Sequence, residues 1–196
     1  INAARVLTVT ARMLGTDADG LSRLALAAPP GAQGLVLLPY LDGERSPNRP
    51  GASGVLRGLT SANTTQENMA RAAVEAVLCS LADAIGNLAD CGITAQRVIL
   101  IGGAAQSEAV RRIAPQIFGM PVTVPSPAEY VALGAARQAA WALSGAAEPP
   151  SWPLAGTAEP PAWPLAGTTL EFTAEPTPQV REQYAALRHA TAGWGS

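Results

Sequence analysis

The sequence predicts an α/β layered domain, and three observations support this fold class. Short apolar runs alternate with amphipathic helical patterns over the first 143 residues. The run at 97–101 is almost continuously apolar, as expected for a strand buried on both faces, and a double glycine and a helical pattern follow it directly. With 48% hydrophobic and 14% charged residues, the 196-residue chain has the composition of a globular protein with a sizeable core.

The first 60 residues predict two helices followed by two strands. Apolar residues recur at helical spacing up to Leu14, and Gly15 ends this pattern in the manner of a C-cap. Because the pattern is already helical at Ile1, we expect a larger N-terminal portion to precede it. The later elements are a helix at about 20–27, which the Pro-Pro-Gly sequence at 29–31 ends, strands at 35–40 and 54–60, and a polar, turn-rich loop at 41–50.

The clearest helical pattern lies between Thr64 and Gly92. Thr64 and Glu67 have the spacing of a capping box, which predicts that the helix begins there. Apolar residues then follow the three-to-four period up to Cys91. The sequence shows no secretory leader, and we expect no apolar stretch long enough to cross a bilayer, so a cytoplasmic protein without a membrane partner is predicted.

Three further elements follow the apolar run. A helix is expected at about 107–118, where Pro115 should kink or shorten it. A strand is expected at 121–124. The Ala-rich pattern at about 129–143 predicts another helix, in which Gly134 should allow close packing.

The composition changes sharply after Leu143. The sequence AEPPSWPLAGT at 147–157 recurs at 158–168 with a single difference. Two copies of a short proline-rich unit are too few for a solenoid, so we interpret 144–175 as a semi-rigid linker, with a Pro-Pro-x-Trp-Pro ligand for another protein as the less favoured alternative. A last helix at about 178–192, within the tail 176–196, is expected to pack back on the domain 1–143.

Charge and composition exclude several classes of function. The formal net charge of −2 supplies no basic face of the kind that nucleic-acid binding needs. All 13 cationic residues are Arg, so the chain has no lysine for a Walker A motif, a Schiff base or a general base. Cys79 and Cys91 have no cysteine or histidine neighbours at zinc-ligand spacing, so we predict no metal site and interpret both as reduced core thiols.

The double glycine Gly102-Gly103 is the most informative local feature. Glycines after a strand let a nucleotide approach the backbone, and the following helix presents its N-terminal N–H groups to phosphate. A dinucleotide fingerprint is not supported, because the glycines are adjacent, the third glycine is absent and the strand at 121–125 offers no acidic residue. The residues alone leave a nucleotide-binding turn and a purely structural turn open, and the structural turn is the more frequent for an isolated double glycine.

Five segments along the chain carry a more specific signal. They are LPYLDGERSP at 38–47, GVLRGLT at 54–60, NMARAAVE at 68–75, LIGGAAQS at 100–107 and ALGAA at 132–136. In order and spacing they resemble the C-terminal domain of the FGGY carbohydrate kinases, over about residues 1–143. The span 54–75 satisfies the second signature pattern of that family, and the GERSP loop is most similar to its xylulokinase branch.

This resemblance implies an actin-like ATPase, ribonuclease-H-like fold in which ATP and Mg²⁺ bind between two domains. This chain is similar to the C-terminal, nucleotide-binding domain, so the N-terminal kinase domain, with most of the sugar site and the catalytic Asp, is an implied partner. By similarity, Gly102, Gly103, Ala104 and Ser107 line the adenosine and phosphate side of ATP. The implied reaction converts D-xylulose to D-xylulose 5-phosphate, with no catalytic residue in this chain, which we expect to be inactive alone.

Two alternatives to a xylulokinase remain open. Another FGGY sugar or polyol kinase, acting on ribulose, gluconate or glycerol, fits the same segments, because the residues that select the sugar belong to the implied partner domain. A non-catalytic actin-like nucleotide-binding module is the alternative from a different class, and the Pro-Trp repeat would then serve as a partner ligand. A homodimer is also left open.

The remaining polar residues are interpreted as structural. Asp42 and Glu44 are assigned to loop architecture, with Glu44 pairing with Arg45. Asp83 and Asp90 are assigned to the solvated face of the long helix. His189 is the only histidine and is interpreted as a surface residue, since no acid or nucleophile is paired with it in the sequence.

Overall fold

The computed structural model describes residues 3–147 and 169–194. Within these ranges the chain forms six α-helices and five β-strands, with short 3₁₀ helices at Ala32–Gly34 and Gly103–Gln106. The α-helices are α1 (Ala3–Met13), α2 (Ala18–Ala27), α3 (Gln66–Asp90), α4 (Glu108–Phe118), α5 (Tyr130–Ser144) and α6 (Pro178–Ala190). The strands are β1 (Val36–Leu38), β2 (Val55–Arg57), β3 (Val98–Ile99), β4 (Val122–Pro125) and β5 (Thr169–Phe172).

The strands form two small sheets. β1 and β2 make an antiparallel pair in which Leu37 lies opposite Leu56. In the second sheet, of order β3-β4-β5, β3 runs parallel to β4 and β5 runs antiparallel to it. Helix α4 connects the two parallel strands, which need a crossover connection of this kind. The combination of helices with a partly parallel sheet confirms the predicted α/β class.

Helix α3 is the central element of the fold. It packs against α1, α2, α4, α6 and β1, and every residue from Ala70 to Cys79 is buried. A helix enclosed on all sides needs no polar face, which explains why this segment is apolar almost all round. By length and composition α3 could also span a membrane, whereas no such stretch is expected from the sequence. Half of its most apolar 18-residue stretch is buried against the other elements, as in the core helix of a globular protein.

The N-terminus of α3 differs from the prediction by one residue. Thr65, and not Thr64, is the N-cap, and its side chain accepts a hydrogen bond from the Asn68 N–H at 3.2 Å. The Thr64 hydroxyl instead donates to the Thr60 carbonyl at 2.6 Å. At the other end, Cys91 is exposed, so the interpretation of both cysteines as core thiols holds only for Cys79.

Strand β3 is shorter and less buried than predicted. Pairing is confined to Val98–Ile99, and the side chain of Ile101 is 43% exposed. Within the part of the chain that the structure describes, β3 lies at the edge of its sheet with a neighbour on one side only. The expected burial on both faces is therefore wrong for this strand.

The structure bears on two predictions about helix interiors. Pro115 does not shorten α4, which continues to Phe118, the end that the sequence predicts. Proline has no N–H, so the hydrogen bond that position 115 would donate to the carbonyl of residue 111 is missing, yet the helix continues through that position. Helix α5 has no buried residue, and a side chain at Gly134 would meet no atom within 4 Å, so this glycine does not serve close packing among the described residues.

The tail returns to the domain. Of the predicted linker, residues 148–168, with Trp152 and Trp163, lie outside the described residues. Residues 169–172 are not linker, because they form β5 and pair with β4 along its whole length. Helix α6 packs on α3, α4 and β1, as expected, and buries Val180, Tyr184 and Leu187.

A buried ion pair connects several of these elements. Arg71 Nε donates to Glu75 Oε1 at 2.6 Å, and the two side chains are 4% and 5% exposed. Arg71 Nη2 also donates to Gln116 Oε1 of α4 at 2.6 Å, and the Gly31 N–H donates to Glu75 Oε1 at 2.9 Å. Burial raises the pKa of Glu75, against the opposing effects of Arg71 and the Gly31 N–H. The pair thereby joins α3 to α4 and to the turn that precedes β1.

Candidate functional site

The turn at 102–107 follows β3 directly, and its backbone accounts for the first glycine. Gly102 has φ +88° and ψ −178°, a conformation that essentially only glycine adopts. The 3₁₀ helix Gly103–Gln106 follows, and Ser107 is the N-cap of α4. A Cβ at Gly103 would meet no atom within 4 Å, so packing among the described residues does not require glycine at this second position.

The N-terminus of α4 is capped by protein groups. The Ser107 hydroxyl accepts from the Val110 N–H at 3.5 Å, and the Ser22 hydroxyl of α2 accepts from the Ala109 N–H at 2.9 Å. The N–H groups of Ala109 and Val110 already have acceptors within the protein, so they are not available to bind phosphate as expected of this helix from the sequence. Gly103 and Ala104 begin the 3₁₀ helix, and N–H groups at such positions have no acceptor within it.

A cleft of about 510 Å³ separates this turn from α1 and α2. Its volume lies in the range of about 300–1,000 Å³ that is usual for small-molecule sites. The surface on the helix side is partly apolar, with Leu7 and Ala11 from α1 and Leu21 from α2. On the side of the turn it is lined by Gly103, Ala104, Gln106 and Ser107.

The four predicted site residues divide between two clefts. Gly103, Ala104 and Ser107 line the cleft beside α1 and α2. Gly102 lines a second cleft, of about 370 Å³, which is bordered by the segment between β4 and α5 and by Tyr130; Gly103 borders both clefts. Gly102 thus sets the backbone path into the turn, whereas the other three residues face the larger cleft.

The charged residues along the larger cleft are Arg12, Asp17 and Asp19. The Asp17 side chain is engaged in capping α2, because its Oδ1 accepts from the Gly20 N–H at 2.7 Å. In residues 3–147 and 169–194, no group of three or more His, Cys, Asp or Glu side chains has an arrangement that could hold a metal ion.

The acidic residues assigned to structural roles have specific partners. Asp42 forms an ion pair with Arg5 of α1 at 2.7 Å, which ties the polar loop to α1. Glu44 Oε1 accepts from the backbone N–H of Arg45 at 2.7 Å.

Asp83 is half-buried and paired, whereas helical periodicity predicted a solvated side chain. It pairs with Arg188 of α6 at 2.6 Å, with side-chain exposures of 21% and 27%. Burial raises the pKa of Asp83, against the opposing effects of Arg188 and Arg181. Asp90 and His189 are exposed, as predicted.

The family of the protein follows from comparison of the whole domain. The sequence profile of the FGGY family of carbohydrate kinases, C-terminal domain, matches residues 7–143, which include the turn at 102–107 and the helices across the cleft from it. The chain belongs to this family. The match ends before the proline-rich repeat, at the position where the composition changes.

Sequence relatives of this FGGY chain are sugar kinases. It is 35% identical over 130 residues to a xylulose kinase of Haemophilus influenzae, covering 66% of this chain and 26% of that protein. It is 39% identical over 142 residues to a xylulose kinase of Escherichia coli, covering 71% and 29%. A gluconokinase of Bacillus licheniformis is 40% identical over 130 residues, covering 64% and 25%. The chain thus spans only a quarter to 29% of the length of these relatives.

Solved structures of FGGY kinases share the fold. The crystal structure of xylulose kinase from Bifidobacterium adolescentis matches with a TM-score of 0.78 and 50% identity, covering 96% of this chain and 35% of that one. Gluconate kinase from Lactobacillus acidophilus matches with a TM-score of 0.76 at 24% identity. These matches confirm the actin-like ATPase fold that the sequence resemblance implied.

Reasoning from sequence did not find the helix side of the cleft. Leu7, Ala11 and Leu21 line it, yet in the sequence they are ordinary apolar positions of two helical patterns. Leu7 and Ala11 are four residues apart and share one helix face, which is also the spacing of core residues. Only their position opposite the glycine turn distinguishes them.

Proposed function

We propose that this FGGY chain supplies the nucleotide-binding side of the active-site cleft in an ATP-dependent kinase that converts D-xylulose to D-xylulose 5-phosphate. The observation that carries the proposal is the 510 Å³ cleft, which places Gly103, Ala104 and Ser107 opposite an apolar helix surface. The xylulose kinase relatives at 35% and 39% identity, and the solved xylulose kinase at 50%, support this substrate.

The residues of the cleft fit a nucleotide. Ala4 and Leu7 of α1 and Ala18 of α2 offer an apolar surface on which a purine ring can pack, whereas Ala11 and Leu21 are themselves buried. Opposite them, the first N–H groups of the 3₁₀ helix, at Gly103 and Ala104, have the donor chemistry that phosphate oxygens need. Since a Cβ at Gly103 would project into open space, glycine there leaves room for a ligand to approach the backbone.

The remaining chemistry belongs to groups outside this chain. Phosphoryl transfer needs a positioned hydroxyl, a base that takes its proton, and Mg²⁺ that neutralises charge on the polyphosphate. We assign the base to a catalytic Asp of the N-terminal kinase domain, which also supplies most of the sugar site. Mg²⁺ is commonly held by substrate phosphates together with one or two carboxylates, so it needs no cage of protein ligands in this chain.

Gluconate is the second candidate substrate. The gluconokinase of Bacillus licheniformis, at 40% identity over 130 residues, is about as similar to this chain as the xylulose kinases of Haemophilus influenzae and Escherichia coli. Steady-state kinetics of the full-length kinase with D-xylulose, gluconate, ribulose and glycerol distinguish the candidates. We expect kcat/KM to be highest for D-xylulose; a higher value for gluconate would leave the nucleotide site standing and reassign the sugar.

Binding of Mg-ATP tests the proposed nucleotide site. Gly103→Val adds a side chain at the cleft, and we expect it to abolish the heat of Mg-ATP binding in a calorimetric titration. Gly86→Val is the matched control, because Gly86 lies in α3, where an added Cβ also meets no atom within 4 Å. Equal binding by wild type and both variants would contradict the assignment of the nucleotide to this turn.

The cellular setting follows from the same proposal. A kinase that consumes ATP and phosphorylates a free sugar is placed in the cytoplasm, where both substrates occur. Fractionation of cells that express the full-length kinase, followed by immunoblotting, checks this placement.

A further inference from the structure

A small cavity lies where α6 packs on α3, away from the proposed nucleotide cleft. It has a volume of about 10 Å³. Its polar lining comes from Glu75 and Cys79 of α3 and from Gln183 and Tyr184 of α6. A cavity of this size accepts one water molecule and excludes any larger ligand.

Two buried polar atoms of the residues that line this cavity have no hydrogen-bond partner within the described part of the chain. They are Gln183 Oε1 and the Tyr184 hydroxyl, and Tyr184 is only 2% exposed. The Tyr184 hydroxyl lies beside the Tyr40 hydroxyl, whose contact contributes, after burial, to the raised pKa of Tyr184. Buried polar atoms are normally paired with protein groups or ordered water, so Gln183 Oε1 is the atom that calls for a partner in this cavity.

The chemistry of the lining defines that partner. Gln183 Oε1 and the Glu75 carboxylate are acceptors, so the ligand must be able to donate twice. The Cys79 thiol can donate, so a ligand that also accepts has a further partner in the lining. A water molecule has two donors and two acceptor sites and fits the volume, whereas a bare cation would be repelled by the donors and would have too few oxygen ligands.

The Gln183 amide lies beside the ion-pair network. A Cβ built on Gly31 would lie 3.3 Å from Gln183 Oε1, and the Gly31 N–H donates to Glu75 Oε1. We propose that one structural water molecule binds in this cavity and joins Gln183 of α6 to the Glu75 carboxylate of α3. The C-terminal helix is then attached to the core by a polar bridge in addition to its apolar contacts.

A crystal structure of the protein at about 2 Å resolution tests the site directly. We expect an electron-density peak within hydrogen-bond distance, about 2.6–3.2 Å, of Gln183 Oε1 and a Glu75 carboxylate oxygen. Absence of that peak, or a direct hydrogen bond between the Gln183 amide and Glu75 in its place, would overturn the proposal.

Oxygen-17 magnetic relaxation dispersion provides an independent count of long-lived internal waters in solution. Gln183→Leu removes one acceptor from the cavity lining, so the dispersion amplitude should fall by the contribution of one water molecule. Gln179→Leu is the matched control, since Gln179 is exposed on the same helix and does not line the cavity. Equal dispersion amplitudes for the folded Gln183→Leu and Gln179→Leu variants would refute the water site. If Gln183→Leu does not fold, the electron density of the wild-type crystal decides whether the water molecule is present.

Discussion

The buried ion pair between Arg71 and Glu75 provides the sharpest test of how α3 is held in the core. Glu75→Leu removes the acceptor of two hydrogen bonds, from Arg71 Nε at 2.6 Å and from the Gly31 N–H at 2.9 Å. It also leaves a guanidinium that is 4% exposed with Gln116 as its remaining polar contact. Breaking a buried pair by removing one partner costs about 3–5 kcal/mol, so we expect the free energy of unfolding to fall by about that amount.

Removing both charges separates the cost of an unpaired charge from the value of the pair. Arg71→Met alone is expected to be destabilising because Glu75 then lacks its countercharge. In the double variant no buried charge remains, and replacement of a whole buried pair by apolar residues is often close to neutral. We therefore expect the double-mutant cycle to give a coupling energy above about 2 kcal/mol.

An exposed pair at the same spacing is the matched control. Glu108 and Arg112 are also four residues apart and lie 2.8 Å from each other, but their side chains are 53% and 61% exposed. The same cycle there should give about 0.3–0.5 kcal/mol. Urea denaturation followed by circular dichroism measures all the variants. Additive effects at Arg71 and Glu75, or equal coupling energies for the two pairs, would refute the argument that burial sets the cost.

Two further substitutions test burial and backbone geometry. Burial raises the pKa of the Cys79 thiol, so the native state keeps a proton that the unfolded chain releases, and stability should fall as the pH rises above about 8.5. Cys79→Ala should flatten that slope by up to about 1.4 kcal/mol per pH unit in urea denaturation at a series of pH values; a slope equal to that of the wild type would contradict the burial argument. Gly58 has φ +89°, and a Cβ there would collide with the Gly34 carbonyl oxygen. Gly58→Ala should therefore lower the free energy of unfolding, measured by thermal denaturation, by more than about 2 kcal/mol. Gly86→Ala in α3 is the control and should raise the free energy of unfolding by up to about 1 kcal/mol, because alanine favours a helix more than glycine does. An unchanged melting temperature for Gly58→Ala would disprove this turn geometry.

Local patterns in the sequence predicted most of the elements, and their errors have local causes. The start of α3 was predictable only to within one residue, since Thr64 and Thr65 are both good N-caps and the choice depends on which hydroxyl meets a helical N–H. Strand β5 was missed because four residues beside a proline-rich repeat carry little periodicity, and its pairing with β4 is a long-range contact. The environment of Asp83 was misjudged because its partner, Arg188, lies on a helix more than one hundred residues later.

In the candidate site, too, the sequence predicted some of the residues and only the structure revealed the others. The sequence, through its resemblance to a family, indicated Gly102, Gly103, Ala104 and Ser107; the structure brings the last three to one cleft, whereas Gly102 lines a second cleft. Their assignment to a nucleotide is a proposal. The opposite surface could not be predicted, because Leu7 and Leu21 are indistinguishable from core residues until the packing of α1 and α2 is known.

By itself the sequence determined the fold class, the family and the order of most of the elements, because these depend on periodicity and short motifs. The tertiary structure alone decided which helix face borders the cleft, which acidic residues are paired and where α6 attaches. Those features depend on contacts between residues distant along the chain, and the physical cost of leaving a buried charge or polar atom without a partner appears only when the elements pack together.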